Sequence, residues 1–250
     1  MTDADLKRLC ALARTAAVAA GDALVRERLA WRAVESEEGR EVKLRADRGA
    51  EALIVAALQA GSPYPILSEE IGWVGGADRD VVWAVDPLDG SVNYAQGFPH
   101  WAVSIALVVA GRPTVGVVHL PALGETFTGV AGVGAACNDA PVAVSAVDDP
   151  ARGVLMTGIP ARAATDADAM AALQARLLRW RKVRMIGSAA CALAYVAAGR
   201  ADAYHETGGM LWDVAGGCAL VTAAGGIAAI TADALDAPLD VRAGNGRVAL

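Results

Sequence analysis

Apolar residues recur at Leu6, Leu9, Cys10, Ala13, Ala17, Ala20 and Leu24, a helical spacing that predicts a long first helix reaching about residue 29. The stretch ESEEGREVK at 35–43 is charged, centres on Gly39 and reads as a mobile surface loop. A second helix is expected after Asp47, with Ala50, Leu53, Ile54, Ala57 and Leu58 on one face, ending before GSPYP at 61–65. Strand-length apolar runs follow at 66–67, 81–85, 102–109, 114–120 and 126–130. The connections AGRP and PALGE between them are of hairpin length, which predicts an antiparallel meander. After the turn marked by Asn138, Asp139 and Pro141 the pattern changes. Strands at 154–157, 183–186, 202–205 and 227–231 alternate with helices near 166–180, 189–198 and 213–224. We therefore expect two halves, 1–140 and 141–250, with no internal repeat and no low-complexity tract.

Composition narrows the class. The 250 residues are 55% hydrophobic and 20% charged with mean hydropathy +0.37, enough apolar material for a sizeable core. No apolar run approaches the roughly 20 residues of a membrane span. The opening Thr2-Asp3-Ala4-Asp5 resembles a helix cap rather than a signal peptide, so a soluble, cytoplasmic protein with no membrane partner is expected. Four scattered cysteines, Cys10, Cys137, Cys191 and Cys218, without CxxC spacing read as free buried thiols. A net charge of −6 argues against a nucleic-acid partner and is compatible with cation binding.

The chemistry concentrates in three acidic stretches. In VVWAVDPLDGSVNYAQGFPH, residues 81–100, an apolar strand ends in Asp86-Pro87 and a second acid follows at Asp89 before Gly90. Pro87 holds Asp86 extended, and Gly90 permits close backbone approach ahead of Ser91. Taken alone, the stretch reads equally as a solvated Asp-Pro turn. PILSEEIG places Glu69 and Glu70 after a short apolar strand, and MLWDVAGG places Asp213 in the first turn of an apolar helix, where an Asp also serves as a cap.

Together, Glu69-Glu70, Asp86-x-x-Asp89-Gly90-Ser91 and Trp212-Asp213 resemble the inositol monophosphatase family of metal-dependent phosphatases. GSAACALAYVAAGRADAYHE, residues 187–206, resembles that family's Gly-Ser/Thr-Ala helix and the acidic strand after it. The resemblance covers almost the whole chain, from the first helix to Asn245. It implies an α+β fold layered α-β-α-β-α, with the site between the halves. It implies one Mg²⁺ on Glu69, Asp86 and the carbonyl of Leu88, and a second on Asp86, Asp89 and Asp213. Glu69 and Ser91 would activate the attacking water with Asp47 supporting. Gly90, Ser91, Gly187, Ser188, Ala189 and Glu206 would contact the substrate, and the protein would be a homodimer. The family's Val-Thr-x-x-Asp is here Lys43-Leu44-Arg45-Ala46-Asp47. Asp47 could therefore be only a helix cap, and a third ion near the 35–43 loop has the least support.

Phosphate monoesters resist hydrolysis so strongly that enzymes accelerate it by up to about 10²¹-fold, far beyond the roughly 10²–10⁴ of one acid or base. A pair of divalent ions supplies the difference, and hard Mg²⁺ takes the oxygen ligands that Asp and Glu provide. The expected function is a Mg²⁺-dependent phosphomonoesterase acting on a small-molecule phosphate ester, a polyol or sugar monophosphate. The alternatives on the same fold are a 3′(2′),5′-bisphosphate nucleotidase, a histidinol-phosphate phosphatase, and a non-catalytic binding protein. Gly90-Ser91-Val92-Asn93-Tyr94 and Pro99 favour the monophosphatase pattern, whereas ILSEE and DPLDG also resemble nucleotidases. Glu70 is left as solvated or supporting. The basic run at 176–184 and His100, His119 and His205 are read as structural.

Overall fold

The computed structural model describes residues 1–31, 34–38, 41–160 and 166–248, with the side chains of 31–44 outside the description. The chain opens with α1 (Asp3–Arg26), capped by a reciprocal Thr2–Asp5 box, and a single turn, α2 (Arg28–Trp31). The break at Glu27 ends the first helix earlier than its apolar spacing suggests. Instead of a loop, the charged stretch after it forms a hairpin of β1 (Val34–Glu38) and β2 (Glu41–Leu44), with Gly39 itself outside the described residues. The second helix, α3 (Arg45–Gly61), begins before Asp47, so Asp47 lies inside its first turn and is not the cap residue.

Eight strands then form one sheet: β3 (Ile66–Ser68), β4 (Gly72–Val74), β5 (Val81–Asp89), β6 (Ala102–Val109), β7 (Arg112–Leu120), β8 (Glu125–Val130), β9 (Gly134–Cys137) and β10 (Ala140–Val142). Their order is β10-β9-β8-β7-β6-β5-β3-β4. The meander is antiparallel as expected, but β3 joins β5 in parallel. A short helix, α4 (Ser91–Gln96), sits between β5 and β6. The boundary expected at 140 falls at the start of β10. A five-stranded sheet follows in the order β12-β11-β13-β15-β14, from β11 (Val154–Thr157), β12 (Lys182–Arg184), β13 (Ala203–Gly209), β14 (Ile227–Ala232) and β15 (Leu239–Gly244). Its helices are α5 (Ala167–Leu177), α6 (Ala189–Ala197) and α7 (Leu211–Ala223). None of the described helices is long and apolar enough to cross a membrane.

Alternation along the strands sets the layers. On β6, Val103, Ile105 and Leu107 join the core under α1 and α3, while Ala102, Ala106 and Val108 join the core around α6 and α7. In the second sheet Met156 and Tyr204 face that middle layer, and Leu155 and Ala203 face outward against Leu177 at the end of α5. The result is the α-β-α-β-α sandwich, with α6 and α7 between the sheets.

The middle layer is thin because its residues are small. A Cβ on Gly116 of β7 would stand 2.2 Å from the Gly216 carbonyl of α7, and one on Gly217 would stand 2.2 Å from the Leu193 Cβ of α6. Neither glycine has a positive φ, so the requirement is close approach. Because backbone on the far side cannot give way as a side-chain tip can, Gly116→Ala should push α7 off the sheet. We expect a loss of about 1–3 kcal/mol, read as a lower urea midpoint at unchanged slope. An unshifted midpoint would show that α7 has room to move.

Candidate active site

Asp86 and Asp89 reach one cavity because β5 is irregular between them. Asp86 pairs with Ser104 and Asp89 with Ala102, so three steps on β5 match two on β6. In a regular strand, residues three apart point to opposite faces; the extra residue restores them to the same side. Pro87 is tolerated there because a bulge leaves an N–H without a ladder partner. The Leu88 N–H donates to Asp86 Oδ1 at 2.9 Å, and the Leu88 side chain is buried in the α1–α3 core while its carbonyl accepts from Ser91 Oγ at 3.0 Å. Gly90 adopts φ 91°, and a Cβ there would lie 2.9 Å from the His100 carbonyl, so only glycine can make this turn into α4.

The cavity has a volume of about 370 Å³. Glu69, Asp86, Asp89 and Asp213 all line it, with the backbone-rich segments at Gly90-Ser91 and Gly187-Ser188-Ala189, and Glu206 closing one wall. No Lys or Arg is among the described residues lining it. Asp89 Oδ2 accepts from Ser188 Oγ at 2.5 Å and from the Ala190 N–H at 2.6 Å, seating this acid on the N-terminus of α6. Asp213 Oδ2 accepts from the Met210 N–H at 2.7 Å, so Asp213 does close the cap of α7 while also facing the cavity. Ser91 Oγ lies 3.1 Å from Asp47 Oδ1, and Asp47 is 2% exposed.

Crowding shows in the ionisation of these groups. Burial, then the charges of Asp213 and Asp47, push the Glu69 carboxyl well above its usual range. Burial, then Glu69 and Asp89, do the same to Asp86, and the Glu69–Asp86 pair shares a hydrogen bond. Burial lifts Asp89 to about 6 against the hydrogen bonds from Ser188 and Ala190. Glu206 is buried, and burial raises it to about 7.

Other expectations sort cleanly. Glu70 does not line the cavity; it faces a surface groove shared with Glu51. The basic run lies outside the cavity, with Arg179, Arg181, Lys182 and Arg184 exposed. His119 is buried with Nδ1 2.9 Å from Thr126 Oγ1, and His205 pairs with Asp240 at 3.1 Å on the face of β13 opposite Glu206. Three contributors went unrecognised in the sequence. Tyr204 lines the cavity two residues before Glu206, a placement that strand alternation signals. The Asn93 amide donates to the His100 and Ile186 carbonyls at 2.6 and 2.7 Å and stitches α4 to the 186–187 segment. Glu51, one helical turn beyond Asp47, is buried at 3% exposure. Its place between Ala50 and Ile54 in an otherwise apolar stripe was the available signal.

The donor set suits a hard divalent cation: its acids offer oxygen ligands, and no Lys or Arg is among the described residues lining the cavity. Among the described residues the acids do not close into a group of three at ligand spacing.

The profile of the inositol monophosphatase family matches residues 5–250. Nus factor SuhB of Pasteurella multocida is 42% identical over 183 residues, spanning 72% of this chain and 68% of that protein. Nus factor SuhB of Xylella fastidiosa is 45% identical over 182 residues, spanning 72% and 66%. Among solved structures, an inositol monophosphatase from Anabaena superposes with TM-score 0.84 at 35% identity, covering 97% of this chain and 92% of that one. Extragenic suppressor protein SuhB from Bartonella henselae gives 0.83 at 33% identity, covering 96% and 94%. A profile match over nearly every residue, on a chain whose three acidic motifs fold into one cavity, means that the chain belongs to the inositol monophosphatase family.

Proposed function

We propose that the chain is a Mg²⁺-dependent phosphomonoesterase acting on a small polyol or sugar monophosphate. The observation that carries the reading is the bulge at 86–89, which turns two acids of one strand into a cavity that Glu69 and Asp213 also line, with no Lys or Arg among its described lining residues. A solvated acidic turn would not need that departure from the ladder. Glu69, Asp86, the Leu88 carbonyl, Asp89 and Asp213 are the groups that would hold the metal. Bound divalent ions would supply an activated water and neutralise charge on the ester.

The protein's own groups prepare the rest. Ser91 Oγ has one proton and two acceptors in reach, Asp47 Oδ1 and the Leu88 carbonyl, so its lone pairs face the cavity. That orientation lets Ser91 Oγ accept a hydrogen bond from a water whose proton Glu69, made more basic by burial, would receive. The N–H groups at 187–190 meet the phosphate side, where Asp89 already occupies one of them. Glu206 and Tyr204 form the wall that a leaving alcohol would touch. A second reading rests on the curated relatives, which are named Nus factor SuhB: the chain would then also serve as a Nus factor. That reading bears on the expectation of no nucleic-acid partner, which has only the net charge of −6 behind it.

Phosphate release from inositol 1-phosphate and other polyol monophosphates should require Mg²⁺ and stop in EDTA. Asp89→Asn should fold and bring turnover down to the EDTA level; full turnover by the folded variant would overturn the assignment. The raised acids also set a stability profile. A folded carboxyl whose pKa exceeds its unfolded value confers stability that is complete below about pH 4 and lost as pH rises through the folded value. With Glu206 at about 7 and Glu69 and Asp86 pushed up by burial, the metal-free urea midpoint should fall as pH rises from about 4.5 through about 7. Mg²⁺ at about 100 times its Kd should add about 2.7 kcal/mol and flatten that fall; an equal fall with Mg²⁺ present would separate the acids from metal binding. Glu206→Ala should raise KM for a polyol ester by about 10–100-fold with less change in kcat, the measure of a lost charge-assisted hydrogen bond. Unchanged KM across the substrate series would remove Glu206 from the leaving-group wall.

A further inference from the structure

The chain turns sharply where β3 ends, and that turn aims Glu69. Ser68 is fully buried, Glu69 lines the cavity, and Glu70 and Ile71 face a different groove on the far side. What holds the turn is a carboxylate from another element. Glu51 Oε1, on α3, accepts from Ser68 Oγ in a short contact and from the N–H groups of Glu70 and Ile71, each at 3.2 Å. On the other side the Glu69 N–H donates to the Val85 carbonyl at 3.2 Å, one residue before Asp86. Three donors that bracket Glu69 therefore converge on one oxygen of one buried acid. Ser68 and Glu70 lean toward α3, so Glu69 is left to point the opposite way, at Asp86.

We propose that Glu51 is a positioning residue for the cation site, an inference that rests on the metal-dependent reading above. It touches neither the cavity lining nor any reacting atom. Its carboxylate replaces the strand ladder that β3 loses at Ser68, and fixes the backbone from which Glu69 projects. A carboxylate suits this task because it accepts several hydrogen bonds without donating, and those bonds are stronger when the acceptor is charged. The same α3 face presents Asp47 to Ser91 one turn earlier, so a single helix registers both Glu69 and Ser91 against the β5 bulge. Residues that orient metal ligands from behind typically change affinity by about 10–100-fold when removed.

The test is Mg²⁺ binding by calorimetry on the full chain, together with hydrogen exchange at the Glu70 and Ile71 amides with no metal present. Glu51→Ala should weaken Mg²⁺ by about 10-fold or more and speed exchange at both amides. Glu51→Gln keeps an acceptor oxygen at the same reach and should restore affinity to within about threefold, whereas Glu51→Asp, one methylene shorter, should not. Folded Glu51→Ala or Glu51→Asp with wild-type Mg²⁺ affinity would overturn the proposal, even if its melting temperature fell, since lowered stability alone marks a merely structural acid. Should Glu51→Ala not fold, Glu51→Asp against Glu51→Gln decides the question. If the wild type binds no Mg²⁺, the functional reading fails. The exchange experiment still judges the positioning: unchanged exchange at Glu70 and Ile71 in Glu51→Asp would overturn it.

Discussion

Repulsion among buried carboxylates is the constraint around which this chain is arranged. Two unit charges at 4 Å cost about 4 kcal/mol at an effective dielectric near 20, and Glu69, Asp86, Asp89 and Asp213 line one cavity with no Lys or Arg among its described lining residues. The fold supplies partial relief from helix ends. Asp89 rests on the N-terminus of α6, Asp213 on the first turn of α7, and Asp47 on the first turn of α3. Each such placement contributes typically 0.3–1 kcal/mol and about 2 at best, so three helix ends cannot offset several pairwise repulsions. The remainder appears as the raised carboxyl pKa values of Glu69 and Asp86. That residual charge is what makes a divalent cation the natural complement of the site.

Holding acids where they repel one another requires stiff backbone, and each is held by a different device. Asp86 and Asp89 depend on a bulge sealed by Pro87 and by the buried Leu88 side chain. Asp213 depends on α7 lying close against β7, which Gly116 and Gly216 permit. Glu69 depends on a turn whose N–H groups are gathered by Glu51. The core between the sheets contains residues of both, so the two halves of the chain share one interior. A shift of α7 would move Asp213 relative to the β5 acids.

Much of this was legible in the sequence because it follows from local rules. Helix spacing, hairpin-length connections and the switch to alternating strands and helices placed most elements within a few residues. What failed had tertiary causes. The 35–43 stretch is polar enough to read as a loop, yet its backbone pairs as a hairpin, since cross-strand hydrogen bonds do not require apolar side chains. The parallel pairing of β3 with β5 joins strands separated by β4, which no turn signal reveals. β15 was missed although Leu239, Val241 and Ala243 alternate with Asp240 and Arg242, the period-two pattern of a half-buried strand. At the site, the acids were legible because their motif spacing is distinctive. Their supports, Glu51 and Asn93, were not, because each acts on backbone far away in sequence.

The wall formed by Glu206 shows why substrate choice is the least legible feature. Glu206 is only 9% exposed, and its Oε2 lies 2.1 Å from where a Cβ on Gly158 would sit. The space for this carboxylate is therefore set by a glycine on β11's exit, nearly fifty positions earlier. Glu69, Asp86 and Asp89 come from the first sheet and its connections, whereas Thr157, Gly158, Tyr204 and Glu206 come from the second. Substitutions in that second wall can reshape the region facing the leaving group without touching Glu69, Asp86 or Asp89. Walls drawn from two sheets can vary separately, so membership of the family does not by itself choose a substrate.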